Sequence, residues 1–374
     1  MLKFTKIMKI DFIAYHSIHA QCGQSVFDSL SKYHECRWIM GPFAIPEDGD
    51  GDVAIMLDHR AYHHLFKSRN GYKYLFHLSH DLADINMYKH DKLFDFDLIF
   101  VPTTKHQKAC VQNGYKLNKI IKSGWPKYDL IERHNKFSFI ESLTADRKTL
   151  IYAPTYVVND EWRLLLKYFS DLNLNVIIKN HPLIDEGQSF PPGEEEEYKK
   201  IVSALDQMED EARSMNFVVA PREMNIVELF IHSNAKVAVS DISSCLLEFL
   251  PFGAAIETGG GDGPGDASSF SNEVKYIPAD ELVKLSSDEF NSLIKKENAD
   301  KKDTLLEFDI EVSYGELIAN KIREYMKTTK PNIRLKDTKS YFILKTYIKS
   351  FIKKIFWFAP NFISKNFFNL INNR

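Results

Sequence analysis

Short apolar runs alternate with amphipathic stretches along most of this chain. The runs read as ten β-strands, at residues 10–15, 52–57, 72–78, 97–102, 119–124, 149–154, 175–180, 216–221, 236–240 and 254–258. Strands separated by helical stretches predict parallel sheets, because a parallel pair needs a long crossover connection. A polar stretch at 132–148 divides the runs into two series of five. The sequence therefore predicts two successive doubly wound, Rossmann-like α/β domains, at residues 1–137 and 138–330.

Length and composition agree with this organisation. The chain has 374 residues, enough for two domains, and is 44% hydrophobic and 26% charged, which excludes a disordered or collagen-like chain. Its four cysteines form no C-x-x-C pair, so neither a zinc site nor a redox motif is indicated. The N-terminus lacks the apolar core of a signal peptide, and no apolar window reaches the roughly 18 residues of a membrane span. We expect a cytoplasmic protein.

Charge is segregated between the body and a C-terminal tail. The formal net charge is −3, yet residues 331–374 contain nine Lys or Arg and one Asp, so residues 1–330, with 39 basic and 50 acidic side chains, carry −11. An acidic body argues against nucleic-acid binding. In the tail, apolar residues recur at three- and four-residue spacing between lysines; they are Tyr341, Leu344, Ile348, Phe351, Ile352 and Ile355.

This tail pattern is typical of a basic amphipathic helix that lies in a membrane interface. The alternative is a stripe that packs on the domains or on a second subunit. We expect residues 331–374 to associate with an anionic membrane surface, and the protein to be peripheral on the inner face of the cell membrane.

Polar residues follow the predicted strands of the second domain. Lys179, Asn180 and His181 end one strand, and a histidine beside a lysine can donate to phosphate oxygens or to a leaving group. A plain strand-ending turn is the alternative. Ser243 and Ser244 precede an apolar helical run, where hydroxyl and N–H groups can bind a phosphate, although helix capping would explain one serine.

Two further strand ends complete this pattern. Asp241 is not needed for a helix cap, which favours a phosphate site, and Pro154 with Thr155 ends another strand. Because the carboxyl ends of parallel strands meet at one edge of a sheet, we expect these segments to lie together, in a ligand cleft between the two domains.

The first domain offers one candidate base. His80 lies between Ser79 and Asp81 after a predicted strand, where a flanking carboxylate could hold its imidazole as a general base. A single histidine carries little weight among 13, so no role is assigned to His16, His19, His59, His63, His64 or His77. The chain leaves this domain through a Gly- and Pro-containing turn at 124–129, which borders the cleft or is only a tight connection.

Five of these segments, in this order, resemble the motifs of the CDP-glycerol glycerophosphotransferase family, which builds glycerol-phosphate or related polyol-phosphate polymers of teichoic acids and capsules. The family's Trp-His-Gly, Gly-aromatic-Pro-Arg-Asn-Asp, Tyr-Ala-Pro-Thr, Lys-x-His-Pro and Asp-Tyr-Ser-Ser segments look like residues 79–81, 124–129, 152–155, 179–182 and 241–244. The resemblance covers residues 70–255.

The resemblance implies a GT-B-like fold, a CDP-activated polyol donor and a lipid-linked or surface glycan acceptor. It implies that His80 and His181 are catalytic and that the other matched residues bind substrate, namely Lys127, Asp129, Pro154, Thr155, Lys179, Asp241, Ser243 and Ser244. It implies no cofactor. No metal is indicated either, because the acidic loop at 48–59 has Val53 and His59 where a calcium loop needs Gly and Glu.

The sequence departs from the family pattern at Ser79, Asp81, Lys127 and Tyr128. Two other interpretations therefore stay open. One is a nucleotide-sugar-dependent glycosyltransferase, of capsule or lipopolysaccharide biosynthesis, or an epimerase on the same fold. The other is a non-catalytic peripheral membrane protein. A polyol-phosphate transferase should bind a CDP-polyol, and a glycosyltransferase or epimerase should bind a sugar nucleotide. A non-catalytic protein should bind neither.

Overall fold

The fold contains two parallel six-stranded sheets. The computed structural model describes residues 7–14, 17–40, 51–57, 72–80, 82–83, 96–130, 137–155, 160–181, 195–259, 264–299 and 312–331. In the first sheet the strands are β1 (Lys9–Ala14), β2 (Glu35–Met40), β3 (Val53–Met56), β4 (Tyr74–Leu78), β5 (Leu98–Val101) and β6 (Ile120–Lys122), in the order β2-β1-β3-β4-β5-β6. The inner strands β3, β4 and β5 are buried along their whole length, which explains their continuous apolar runs.

The second sheet has the strand order of a dinucleotide-binding fold. Its strands are β7 (Lys148–Tyr152), β8 (Leu174–Ile178), β9 (Val218–Val219), β10 (Ala235–Ser240), β11 (Ala254–Glu257) and β12 (Val274–Tyr276). The order β12-β11-β10-β7-β8-β9 reverses direction between β7 and β10, while the first sheet reverses between β1 and β3. Ligands of such sheets bind beyond the carboxyl ends of the strands at these reversals.

Helices connect the strands and cover the sheets. Within the described residues they are α1 (Ser17–Ser31), α2 (Thr104–Gln112), α3 (Ser138–Glu141), α4 (Glu161–Asp171), α5 (Glu195–Ser214), α6 (Ile226–His232), α7 (Cys245–Phe249), α8 (Asp266–Phe270), α9 (Ala279–Leu282), α10 (Ser287–Ala299) and α11 (Tyr314–Thr328). Single 3₁₀ turns lie at Leu117–Lys119 and Pro126–Leu130.

The ten predicted strands are confirmed, and the fold class predicted for the two domains is correct. The two strands that the sequence did not reveal, β2 and β12, are both at sheet edges. Side chains of β2 are exposed or half-buried, and β12 has only three residues, so neither has the apolar run that marks an inner strand.

Helix α11 follows the second sheet in sequence but packs against the first. The Tyr74 hydroxyl donates to the Thr329 carbonyl oxygen at 2.8 Å, and the Asp129 carboxylate accepts from the N–H groups of Tyr314, at 3.0 Å, and Gly315. Gly124 has φ +73°, and a Cβ atom there would collide with the Tyr314 ring. The predicted domain limits stay a prediction, and the tail predicted at 331–374 lies outside the described residues except for its first residue.

Candidate functional site

A cavity of about 240 Å³ lies between the carboxyl edges of the two sheets. The strand ends of the second sheet meet there, because the Lys179 N–H donates to the Tyr152 carbonyl oxygen at 2.9 Å and the Ser240 hydroxyl donates to the Ala153 carbonyl oxygen at 2.5 Å. The expectation that these strand ends share one edge is therefore confirmed.

Seven of the ten predicted site residues line this cavity: His80, Lys127, Pro154, Lys179, His181, Ser243 and Ser244. Asp129, Thr155 and Asp241 are absent from its lining. Residues from both sheets thus contribute to one site, as expected for a cleft between two doubly wound domains.

The ring of His80 is oriented by the backbone of the neighbouring strand. His80 Nδ1 lies at hydrogen-bond distance from the carbonyl oxygen of Leu57, directly after β3. A carbonyl can only accept, so this contact assigns the proton of the neutral ring to Nδ1 and leaves Nε2 as the proton-accepting nitrogen. Asp81, the predicted orienting carboxylate, lies outside the described residues.

A second imidazole lies against His80. The ring centroids of His19 and His80 are 4.0 Å apart, at an interplanar angle of 38°. His19 is buried in the first turn of α1 and lines the cavity. Next to it, the Cys22 thiol donates to the His80 carbonyl oxygen at 3.6 Å. The cavity therefore has a paired-imidazole wall on the side of the first sheet.

A buried ion pair joins the two domains at the cavity. Lys127 Nζ lies 3.0 and 2.9 Å from the two carboxylate oxygens of Glu248 on α7, and both side chains are buried. The same carboxylate accepts from Trp125 Nε1 at 2.9 Å, and the Tyr128 hydroxyl donates to the Glu248 carbonyl oxygen at 2.9 Å. The turn at 124–129 is thus fixed to the second domain by one acidic residue.

Electrostatics keeps this lysine charged. Burial lowers the pKa of Lys127, but the Glu248 carboxylate and the nearby Cys22 and Cys245 together raise it by more, so the pKa of Lys127 lies above its usual value. Burial also raises the pKa of the neighbouring Cys245 thiol to about 12. Because Glu248 balances the charge of Lys127, this lysine holds the domains together more than it attracts a phosphate.

The two serines before α7 have different surroundings. The Ser243 hydroxyl accepts from the Cys245 N–H at 3.3 Å, a local bond to the backbone next to the start of α7. Ser244 makes no capping bond with its side chain among the described residues, and it lines the cavity. The Ser243 hydroxyl is therefore engaged with the local backbone, while both serines line the cavity.

The segment after β8 also lines the cavity. Lys179 Nζ donates to the carbonyl oxygens of Asn180, at 2.8 Å, and Arg222, at 2.6 Å, which fixes a buried ammonium group at the cavity. Asn180 Nδ2 donates to Glu209 at 2.6 Å. His181 is half-buried at the cavity, and Pro182 lies outside the described residues.

Three predicted residues have other surroundings. The Asp241 carboxylate accepts from the N–H groups of Thr155, at 2.8 Å, and Ile242, at 2.7 Å, and thereby joins the turns after β7 and β10. Asp129 accepts from the first N–H groups of α11. We therefore leave Asp129, Thr155 and Asp241 out of the set proposed to contact substrate.

The predicted set of site residues omitted several that line the cavity, among them His19, Asn180 and Glu248. His19 follows β1, a strand at the reversal of the first sheet, so its position after an apolar run was an available signal. Glu248 is the single charge in the apolar run CLLEFLPF, which marks a buried polar group that needs a partner. Among the described residues, no cluster of three or more His, Cys, Asp or Glu could hold a metal ion.

Neither a protein-family model nor a curated protein sequence matches the chain. The fold is similar to several solved structures. They include UDP-N-acetylglucosamine 2-epimerase from Rickettsia bellii (TM-score 0.58, 12% identity, 86% of this chain and 97% of that one), S. aureus MnaA with UDP (0.55, 11%, 87% and 99%) and a variant of the wall teichoic acid polymerase TagF soaked with CDPG (0.52, 15%, 87% and 91%). At these identities the similarity shows the fold, a GT-B-like pair of α/β domains.

Proposed function

We propose that this protein transfers glycerol phosphate, or a related polyol phosphate, from a CDP-activated donor to a hydroxyl group of a lipid-linked or surface glycan acceptor. One observation carries the proposal: each of the five resembling segments contributes at least one residue to the lining of one cavity between the domains. Two histidines, a buried ammonium and serine hydroxyls form the set that phosphoryl transfer needs.

His80 is proposed as the general base. An acceptor hydroxyl attacks the phosphorus that carries the polyol, a new P–O bond forms, and the bond to CMP breaks. His80 takes the hydroxyl proton at Nε2, since its Nδ1 faces the Leu57 carbonyl oxygen. The ring needs no large movement for this step, because the backbone contact and the His19 ring already define its plane.

The second domain is proposed to hold the donor phosphates. His181, Lys179 and Ser244 all line the cavity from the second domain. Fixed donors of this kind stabilise the charge that develops on the phosphate oxygens and on the departing CMP. Pro154 and Ser243 would shape the same pocket.

Membrane association is part of the proposal. A lipid-linked acceptor requires the protein at a membrane surface, and the basic, aromatic tail at 331–374 suits the inner face of the cell membrane. None of the helices in the described ranges could cross a bilayer. Attachment through the tail is consistent with this finding.

A nucleotide-sugar enzyme is the second candidate. The observation in its favour is the fold itself, which is also that of UDP-N-acetylglucosamine 2-epimerases. In that case, a UDP-sugar would bind the second domain. The carboxylate of Glu248, which sugar chemistry could use as an acid or base, is already bonded to Lys127 and Trp125.

The test is release of CMP from CDP-glycerol, with a membrane extract as the source of acceptor. The wild-type chain is expected to release CMP, and His80→Ala and His181→Ala to lower the rate by at least about a hundredfold, the loss typical of a missing acid or base. His232→Ala, a histidine outside the cavity, is the matched control. Full activity of either cavity variant would sink the assignment, and conversion of UDP-N-acetylglucosamine instead would favour the second candidate.

A further inference from the structure

A second cavity, of about 400 Å³, lies at the opposite edge of the first sheet. It is formed where β1 and β4 begin and where α1 and α11 end. We call it the basal cavity and define it by its four basic residues, His34, Lys73, Arg323 and Lys327. None of the described residues lines both this cavity and the cavity between the domains.

The charge of the basal cavity is not balanced. Lys73 pairs with the Asp52 carboxylate. Among the described residues, neither Arg323 nor Lys327 has a carboxylate within salt-bridge distance, and no acidic residue lines the cavity. The Arg323 guanidinium lies over the Tyr33 ring, 3.7 Å from its centroid, which holds this cation at the cavity wall.

These cations are not needed to cap α11. Helix ends attract lysine and arginine because their last carbonyl groups lack partners. Here the Tyr74 hydroxyl lies within donor distance of two of these carbonyl oxygens, 2.8 Å from Thr329 and 3.3 Å from Met326. The positive charge of Arg323 and Lys327 therefore remains available to a ligand.

The pKa of His34 is sensitive to the positive charges around the cavity. Its Nδ1 accepts from the Met8 N–H at 3.4 Å, so the proton of the neutral ring lies on Nε2. Burial, and then the charges of Arg323 and Lys327, lower the pKa of His34. An anion bound beside these cations would offset their effect on the ring.

The surroundings of the cavity point to a membrane. Ile7, next to the lining residue Met8, is 69% exposed, and Tyr33 is 53% exposed. The chain passes from Pro331, at the cavity, into the tail, which contains nine basic residues and one acidic residue. The tail cannot neutralise a cavity of its own sign, but both would be drawn to the same anionic surface.

We propose that the basal cavity binds the phosphodiester headgroup of an anionic lipid, between Arg323 and Lys327. Exposed apolar side chains at its rim contact the lipid surface, and the adjoining tail lies in the same interface. Binding at this site places the amino-terminal edge of the first sheet towards the bilayer. The cavity between the domains then lies at the opposite edge of that sheet.

The test is binding of the full-length chain to vesicles of phosphatidylcholine with and without phosphatidylglycerol. Arg323→Ala combined with Lys327→Ala is expected to weaken binding to phosphatidylglycerol vesicles by about fivefold for each charge removed. The control is Lys200→Ala combined with Lys284→Ala, which removes the same charge from exposed positions of the second domain. Equal binding of the two double variants would overturn the proposal.

Two further measurements separate a specific site from general attraction. Arg323→Lys combined with Lys327→Arg keeps both charges and should keep vesicle binding. If it does, the loss in the double alanine variant is due to the missing charges and not to misfolding. In the wild-type chain, a soluble glycerophosphodiester headgroup should raise the pKa of His34 followed by NMR. No change of His34 would overturn the proposal, and an equal effect of inorganic phosphate at equal concentration would show a free-phosphate site instead of a lipid site.

Discussion

Glu248 connects α7 of the second domain to the turn at 124–129. It accepts from Lys127 and Trp125 through its carboxylate and from Tyr128 through its backbone, so a single side chain fixes the turn that leaves the first domain. A buried carboxylate is costly unless it is paired, which explains why its partner is a lysine on the other side of the junction.

Removing Glu248 should therefore destabilise the whole chain. Glu248→Ala leaves the Lys127 ammonium buried without its partner, and we expect the free energy of unfolding to fall by about 3–5 kcal/mol. Urea denaturation measures it. Lys321→Ala, which breaks an exposed pair with Glu324, is the control and should cost less than about 1 kcal/mol. A cost for Glu248→Ala no larger than that of the control would contradict the account.

Cys245 offers a chemical probe of the same junction. Burial raises the pKa of its thiol to about 12, so at pH values near 8 the thiol stays protonated and reacts poorly, since the thiolate is the nucleophile. We expect iodoacetamide to leave Cys245 unmodified in the folded chain and to alkylate it in urea, as mass spectrometry would show. Alkylation at the same rate in both states would show an open, reactive thiol.

Among the elements, α11 connects the C-terminal part of the described chain to the first domain. Its first N–H groups are bonded by Asp129, and its last carbonyl groups by Tyr74. The motif that contains Asp129 had predicted substrate binding, whereas the contacts are those of a helix-terminus acceptor. Stability and ligand binding should therefore respond differently to a change at Asp129.

Asp129→Ala is expected to lower the free energy of unfolding by about 1–3 kcal/mol, the effect of losing charge-assisted hydrogen bonds to backbone N–H groups. Its dissociation constant for CMP should equal that of the wild type, because Asp129 does not line the cavity between the domains. Scanning calorimetry measures the stability, and titration calorimetry the CMP affinity, of Asp129→Ala and the wild type. Weaker CMP binding at unchanged stability would return Asp129 to the substrate site.

For the whole molecule, the parallel sheets were predictable because buried strands leave continuous apolar runs, as in β3 to β5 and β10. The edge strands β2 and β12 were not, since one neighbour and partial exposure leave no such run. Motif order located His80 and His181, yet the contact of the His19 ring with His80 and the pairing of Lys127 with Glu248 depend on contacts between segments distant in sequence. A local sequence pattern does not show which distant side chain a buried charged group will pair with.

Attachment to the membrane is a property of the whole chain and depends on the tail at 331–374. A chain that ends at residue 330 should lose most of its binding to anionic vesicles in a flotation assay, because it lacks the basic amphipathic segment. Its unfolding by urea should match that of the full chain if the tail makes no contacts with the domains. Equal flotation of both chains would contradict a role for the tail in attachment.

The central claim is that the cavity between the domains binds a CDP-activated polyol. The most direct test is the thermal stability of the purified chain with CMP, CDP-glycerol or UDP-N-acetylglucosamine, since a ligand at a hundred times its dissociation constant adds about 2.7 kcal/mol to the free energy of unfolding. We predict stabilisation by CMP and CDP-glycerol, diminished in His181→Ala. Stabilisation by UDP-N-acetylglucosamine alone, or by none of the three, would contradict the claim.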